Sequence, residues 1–286
     1  MTEEIRQFIE YLVKERKVSK NTEVSYQRDL FQMADYLERQ GIHQTEKVTE
    51  TSLNSYILYL EKEGRAATTV SRAIASMRAF FHYAVREHWI QEDPSEFLKA
   101  PRIEKKLPDI LSQKEVEMLL AQPSGNSLKE IRDKAMLELM YATGLRVSEL
   151  IGLSVDDLNM SVGFLRCRDE KKERMIPFGK TAKAALSRYL ENARERLLKG
   201  NESNLLFVNC SGKAMSRQGF WKILKHYGEM ADIKTAITPH TLRHSFAAHL
   251  LSSGADIHTV QTMMGHAGIG STQMYAAVAT KKNKGY

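Results

Sequence analysis

The sequence predicts a mainly α protein of two domains, the second carrying one small antiparallel sheet, and three observations lead there. Apolar residues recur at spacings of three and four through most of the 286 residues, the mark of helices with one buried face. Short runs rich in β-branched and aromatic residues cluster between Val155 and Phe178, which suits strands. Pro94, Pro101 and Pro108, with Arg102, Lys105 and Lys106, interrupt the helical pattern and favour an extended, solvated connection. The domains are therefore expected at 1–93 and 111–286, with a linker at 94–110.

In the first domain Ile5, Phe8, Ile9, Leu12 and Val13 form one stripe. Ser19 can cap a second helix carrying Val24, Leu30, Met33, Tyr36 and Leu37, and Gly41 ends it. A third helix is expected from Ser52 to Glu63, stopped by Gly64. Thr68 or Thr69 opens a fourth, whose apolar face of Ile74, Met77, Phe80, Phe81 and Ala84 alternates with Arg72, Arg78 and Arg86.

The second domain opens on Ser112 and Glu115, which have capping-box spacing. A helix from Ile131 to Tyr141 runs into Ala142-Thr143-Gly144-Leu145, a turn that lets Arg146 start the helix Val147 to Leu153. An Arg beside free helix N–H groups makes a phosphate site; Glu149, three residues on, offers it a salt bridge instead. Val155–Leu158, Gly163–Arg168 and Arg174–Phe178 read as three strands, followed by a long helix Thr181–Leu198. A short strand Leu205–Val208 and a helix opened by Ser216 come next. That helix sets Arg217, Lys222 and Lys225 beside Phe220, Trp221 and Leu224.

From Thr238 to Tyr275 the chain concentrates reactive side chains around two helix starts. Pro239 suits a first helical turn, and His240 and Arg243, three apart, are expected on one face of the helix that Phe246, Ala247, Leu250 and Leu251 continue. Asp256 can cap the next helix, with Ile257, Val260, Met263 and Met264 on its apolar side, and Gly265 stops it and leaves His266 on a loop. Tyr275 follows on a segment of one or two helical turns.

Composition bounds what this constellation acts on. The net charge of +7 is uneven: residues 1–110 hold 17 Lys and Arg against 18 Asp and Glu, whereas the remainder holds 25 against 17. A basic excess on the half with the reactive cluster fits a phosphate-rich partner. No run of about 18 apolar residues exists, and the start MTEEIRQFIEYL lacks the basic region of a secretory signal. No membrane span and a cytoplasmic location are expected. Cys167 and Cys210 are too few and too far apart for a disulfide framework or zinc cluster, and both are expected to be buried. Gly-rich phosphate loops and carboxylate clusters of a two-metal nuclease are lacking, so neither a cofactor nor a metal is expected.

Arg146 in ATGLRVSEL, Lys171 or Lys172 in DEKKERMIP, His240 and Arg243 in HTLRH, His266 in GHAGIGST, and Tyr275 occur in an order that resembles the tyrosine recombinases of the Xer type. His-x-x-Arg alone is common on helices; four motifs in order before a terminal Tyr are specific. The resemblance spans nearly the whole chain. It implies an N-terminal four-helix, SAM-like core-binding domain and a mainly helical catalytic domain that together clamp double-stranded DNA at an inverted-repeat recombination site. In the first domain Lys20, Arg65, Arg72 and Arg78 would then supply local affinity. The hairpin departs from the Xer-like Gly-Lys-Gly-x-Lys-Glu-Arg: here Asp-Glu-Lys-Lys-Glu-Arg is one residue shorter. Lys172 matches the second Lys, which leaves Lys171 as the catalytic one.

The chemistry so implied is attack of a tyrosine hydroxyl on a DNA phosphodiester, which stores the bond energy in a 3′-phosphotyrosine. Arg146 and Arg243 would clamp the phosphate and His266 would donate a hydrogen bond. His240 would handle the Tyr275 proton and Lys171 would protonate the leaving 5′ oxygen. Chromosome-dimer resolution and mobile-element integration are both open, as are a type IB topoisomerase and a DNA-binding relative without catalysis. Such recombinases work as homo- or hetero-tetramers on DNA, joined by a C-terminal helix docked on a neighbour. With 11 residues after Tyr275, a monomer in solution is expected.

Overall fold

The computed structural model describes residues 1–103, 107–169, 172–266, 268, 270 and 272–275, without the side chains of Asp169 and Lys172. It divides into two compact units, Met1–Lys105 and Lys106–Tyr286.

The first unit holds α1 (Thr2–Lys14), α2 (Lys20–Arg39), α3 (Glu50–Lys62) and α4 (Ala67–Arg86). The Ser19 side chain accepts from the Thr22 amide at the head of α2. A Thr49–Ser52 capping box starts α3 two residues before the expected Ser52. Phe8, Leu30, Met33, Leu37, Leu53, Tyr56, Phe80 and Phe81 meet in one core. Val13 and Val24, expected in the stripes, lie 44% and 49% exposed; Val13 sits one residue past buried Leu12, a step of about 100° around a helix, and Val24 lies on the side of α2 away from Leu30, Met33 and Leu37. The expected linker is not solvated throughout: Leu98 is buried in this core and its carbonyl accepts from Arg78. Packing of the first unit thus extends beyond Asp93.

In the second unit α5 (Gln113–Ala121) begins with the Ser112–Glu115 box, and α6 (Leu128–Thr143) is the central element, with Ala135 through Met140 all buried. It packs against α8 (Lys180–Tyr189) and α11 (Pro239–Ser252). Between them come α7 (Val147–Gly152) and a three-stranded antiparallel sheet of β1 (Leu158–Asn159), β2 (Phe164–Asp169) and β3 (Lys172–Pro177), in that order. Leu165 faces Ile176 and Cys167 faces Arg174 across β2 and β3.

Three expectations are corrected here. Val155–Leu158 is not a full strand: Val155–Asp157 is a 3-10 turn closed by Ser154 and Asp157, and pairing begins only at Leu158. Leu205–Val208 makes isolated bridges from Leu205 and Val208. Side chains occupy its carbonyls instead: Arg194 donates to Leu205 O at 2.8 Å, Tyr189 to Leu206 O at 3.0 Å and Arg132 to Val208 O at 3.3 Å. Cys167 is buried but Cys210 is exposed, beyond that segment. The long helix runs from α8 through a π-helical turn, Leu190–Arg194, into α9 (Glu195–Leu198). After α10 (Arg217–Met230) and α11, α12 (Ile257–Met264) leads to the last described helical turn, 272–275.

Candidate active site

The site is organised by the C-terminal end of α12, where the last carbonyls need partners from outside the helix. Gly265, at φ 63°, takes the left-handed conformation that ends the helix. Its amide donates to Thr262 O at 3.1 Å, and the His266 amide donates to Gln261 O at 3.2 Å. The next three carbonyls each receive a guanidinium from a different part of the chain. Arg174 Nε donates to Met263 O at 3.0 Å, Arg243 Nη2 to Met264 O at 2.5 Å and Arg146 Nη2 to Gly265 O at 2.8 Å. Cations are favoured at this negative end of the helix dipole.

One carboxylate balances these charges. Glu149 accepts from the Arg146 amide at 2.7 Å and from Arg146 Nη1 at 2.8 Å. It also accepts from Arg174 Nη2 at 2.8 Å and lies 4.0 Å from Arg243 Nη1. Burial alone would raise its pKa, but the Arg146 amide and the Arg174 guanidinium outweigh burial and hold it below the usual carboxylate value. The salt bridge that the spacing of Glu149 offered is formed, to both the amide and the guanidinium of Arg146.

Arg243 leaves α11 inward and is 4% exposed. Its Nη1 also donates to the Gly144 carbonyl. Gly144 ends α6 at φ 62°, and a Cβ there would run into the Phe246 ring, so the backbone comes this close only without a side chain. Burial, and then the neighbouring Arg146 charge, pull the Arg243 pKa down to about 10. Arg243 Nη2 lies 3.3 Å from His266 Nε2, and His266 Nδ1 lies 2.9 Å from Thr272 Oγ1. Because a guanidinium can only donate, Nε2 is the bare nitrogen and Nδ1 carries the proton toward Thr272. Burial, with Arg243 and Arg146 nearby, lowers the His266 pKa to about 4, so its ring is neutral and set to accept.

Tyr275 is 3% exposed and packs with Phe246, Val260 and Met264. Two imidazoles flank its ring: His266 at 6.0 Å with planes 24° apart, and His244 at 5.4 Å. Burial raises the Tyr275 pKa, and Arg243 opposes that rise.

Of the six expected site residues, Arg146, Arg243, His266 and Tyr275 come together around α12. His240 is exposed, whereas Arg243, one turn on and about 60° around the helix, is buried. Between His240 and Tyr275 stands His244, whose ring is 6.1 Å from that of His240. Lys171 lies outside the described residues, as does the side chain of Lys172. Sequence reasoning missed His244, one turn beyond His240 in HTLRH, and Arg174, whose only signal was an Arg on a strand facing the small Cys167.

Several of the other basic residues have protein partners. Lys20 pairs with Glu23 at 2.6 Å, Arg72 forks onto buried Asp29 at 2.7 and 2.9 Å, and Lys225 lies 3.6 Å from Glu229. Arg65 is exposed. On α10, Phe220 and Leu224 are buried while Trp221 is 45% exposed beside Arg217 and Lys222.

Residues 109–282 match the phage integrase family, and residues 5–88 match the phage integrase N-terminal SAM-like domain. The chain is 46% identical to the tyrosine recombinase XerD of Oceanobacillus iheyensis, covering 98% of this chain and 95% of that one. Against XerD of Halalkalibacterium halodurans the identity is 45%, over 96% and 92%. Its fold resembles the XerH site-specific recombinase bound to palindromic difH substrate, at TM-score 0.75 and 19% identity over 98% and 93% of the chains. It also resembles a lambda integrase dimer bound to a COC′ core site, at TM-score 0.75 and 16% identity over 96% and 94%. No described helix is long and apolar enough to cross a membrane. Arginines from three distant segments converging beside a buried tyrosine, together with these matches, place the chain in the phage integrase family: it is a tyrosine recombinase.

Proposed function

We propose that this recombinase cuts and rejoins duplex DNA at an inverted-repeat site through a 3′-phosphotyrosine on Tyr275. The observation that carries this reading is the placement of Arg146 and Arg243 around one helix end, with Tyr275 packed against the same end. The Tyr275 oxygen forms a bond to phosphorus as the bond from phosphorus to the 5′ oxygen breaks. His240 receives the phenol proton and Lys171 supplies one to the departing oxygen. No water enters, so a 5′ hydroxyl of another strand reverses the step and joins new ends. Extra negative charge on the non-bridging oxygens is met by Arg146 and Arg243. His266, now accepting from Arg243, donates to the phosphate once Nε2 gains a proton from solvent or by tautomer exchange.

The near full-length match to proteins named XerD supports resolution of chromosome dimers in the cytoplasm over mobile-element integration, with four protomers assembling on DNA. The names of those relatives also favour recombination over topoisomerase-type relaxation. The test is incubation with a nicked duplex carrying the inverted repeat, from which the severed 5′ end diffuses away. A protein–DNA adduct is expected. Binding without adduct would reduce the chain to a DNA-binding relative.

A further inference from the structure

Arg174 on β3 is the one guanidinium of the three at the α12 terminus to which the resemblance assigned no role. Its side chain is 9% exposed. Nη2 is 2.8 Å from Glu149 and Nε is 3.0 Å from Met263 O. A Cβ on Gly265 would stand 2.8 Å from Nη1, so the guanidinium lies flat against the backbone with no room for a ligand on that side. Arg146, at 36% side-chain exposure, can turn a donor to a phosphate; Arg174 cannot.

When Arg146 and Arg243 engage a phosphate, they divide their donors between it and the carbonyls of Met264 and Gly265. The α12 terminus and Glu149 then need a tether that does not itself turn to the ligand. We propose that Arg174 is a positioning residue for strand cleavage: it joins Glu149 to Met263 O and so holds both the carboxylate that aims Arg146 and the helix end that carries His266. The inference rests on the reading of Arg146 and Arg243 as the phosphate clamp. A fork is required because two acceptors at different angles must be met by one planar group, which a lysine ammonium does not do.

The experiment compares Arg174→Lys and Arg174→Ala with the intact protein and with Arg146→Ala, reading DNA affinity and the rate of adduct formation at saturating duplex. Each protein is given the natural phosphodiester and a duplex whose scissile phosphate has one non-bridging oxygen replaced by methyl. The methylphosphonate carries one negative charge less into the transition state and depends less on a well-aimed clamp. Both Arg174 variants are expected to bind DNA normally and to cleave the phosphodiester roughly 10²-fold slower, the scale for displacing a reacting group by about 1 Å. On the methylphosphonate their deficit should shrink to a few-fold, in parallel with Arg146→Ala. If Arg174→Ala fails to fold, Arg174→Lys carries the test alone. A deficit of equal size on both substrates, a loss of DNA affinity in place of rate, or no deficit at all would each overturn the proposal. Failure of the intact protein to form any adduct would instead overturn the proposed function, so the two failures are distinguishable.

Discussion

The ring of His244 stands 5.4 Å from that of Tyr275 and 6.1 Å from that of His240, so the α11 histidine beside the proposed nucleophile is His244 and not the His240 of the His-x-x-Arg pair. Burial, and then His240 and Arg243, lower the His244 pKa to about 4. Near neutrality it is a weak proton acceptor and acts on Tyr275 through shape. His244→Phe should keep adduct formation within a few-fold, and His244→Ala, which leaves a hole beside the phenol, should slow it about tenfold. His240→Ala should lose something like 10²- to 10⁴-fold. Rates as low for His244→Phe as for His240→Ala would make His244 the proton acceptor.

The depressed histidines also set a pH dependence of stability. His244 and His266 stay neutral in the folded chain down to about pH 4, whereas unfolded histidine binds a proton near pH 6.5. Between these values the unfolded state holds more protons, so stability rises with pH across the window and is lost as pH falls through it. Melting temperatures measured from pH 7 to 4.5 should fall, and His266→Gln should flatten the fall. An unchanged slope in that variant would contradict the placement of His266.

Gly144 is held at φ 62° against Phe246, and its carbonyl takes a donor from Arg243. Gly144→Ala combines a left-handed non-glycine residue, about 1–2 kcal/mol, with overpacking, about 1–3 kcal/mol. Urea unfolding should show a loss of about 2–5 kcal/mol. A loss under about 1 kcal/mol would mean that the α6–α11 junction yields easily.

For the hairpin, Lys171→Ala should slow cleavage by about 10²- to 10⁴-fold. A duplex whose bridging 5′ oxygen is sulfur has a leaving group that needs little protonation, so Lys171→Ala should recover most of its rate there. Arg146→Ala and Arg243→Ala should stay slow. Rescue of Lys172→Ala in place of Lys171→Ala would move the acid by one residue.

Local signals in the sequence located most helices because their causes are local. Ser19, the Ser112–Glu115 box and Asp256 sit where their side chains cap the turn that follows, and Pro239 opens α11 behind the Thr238 cap. Gly265 could be read as a stop for the same reason. Its second role could not, because the carbonyls beside it are met by arginines from positions 146, 174 and 243, and no periodicity reports contacts over such separations. Arg174 reads as a solvated strand residue until Glu149 and Met263 are placed around it. His240 and His244 lie one turn apart on α11, about 40° around the helix, and which of them meets the Tyr275 ring is decided by tertiary packing. Leu205–Val208 has strand composition, but Arg132, Tyr189 and Arg194 occupy its carbonyls.

The central claim is that Tyr275, one of 11 tyrosines, forms the bond to DNA. The adduct trapped on a nicked duplex can be digested with protease and nuclease and its modified peptide sequenced by mass spectrometry. The account predicts a nucleotide on the peptide containing Tyr275, and, for Tyr275→Phe, normal DNA binding with no adduct. A nucleotide on Tyr227 or Tyr286, or an adduct that persists in Tyr275→Phe, would contradict it.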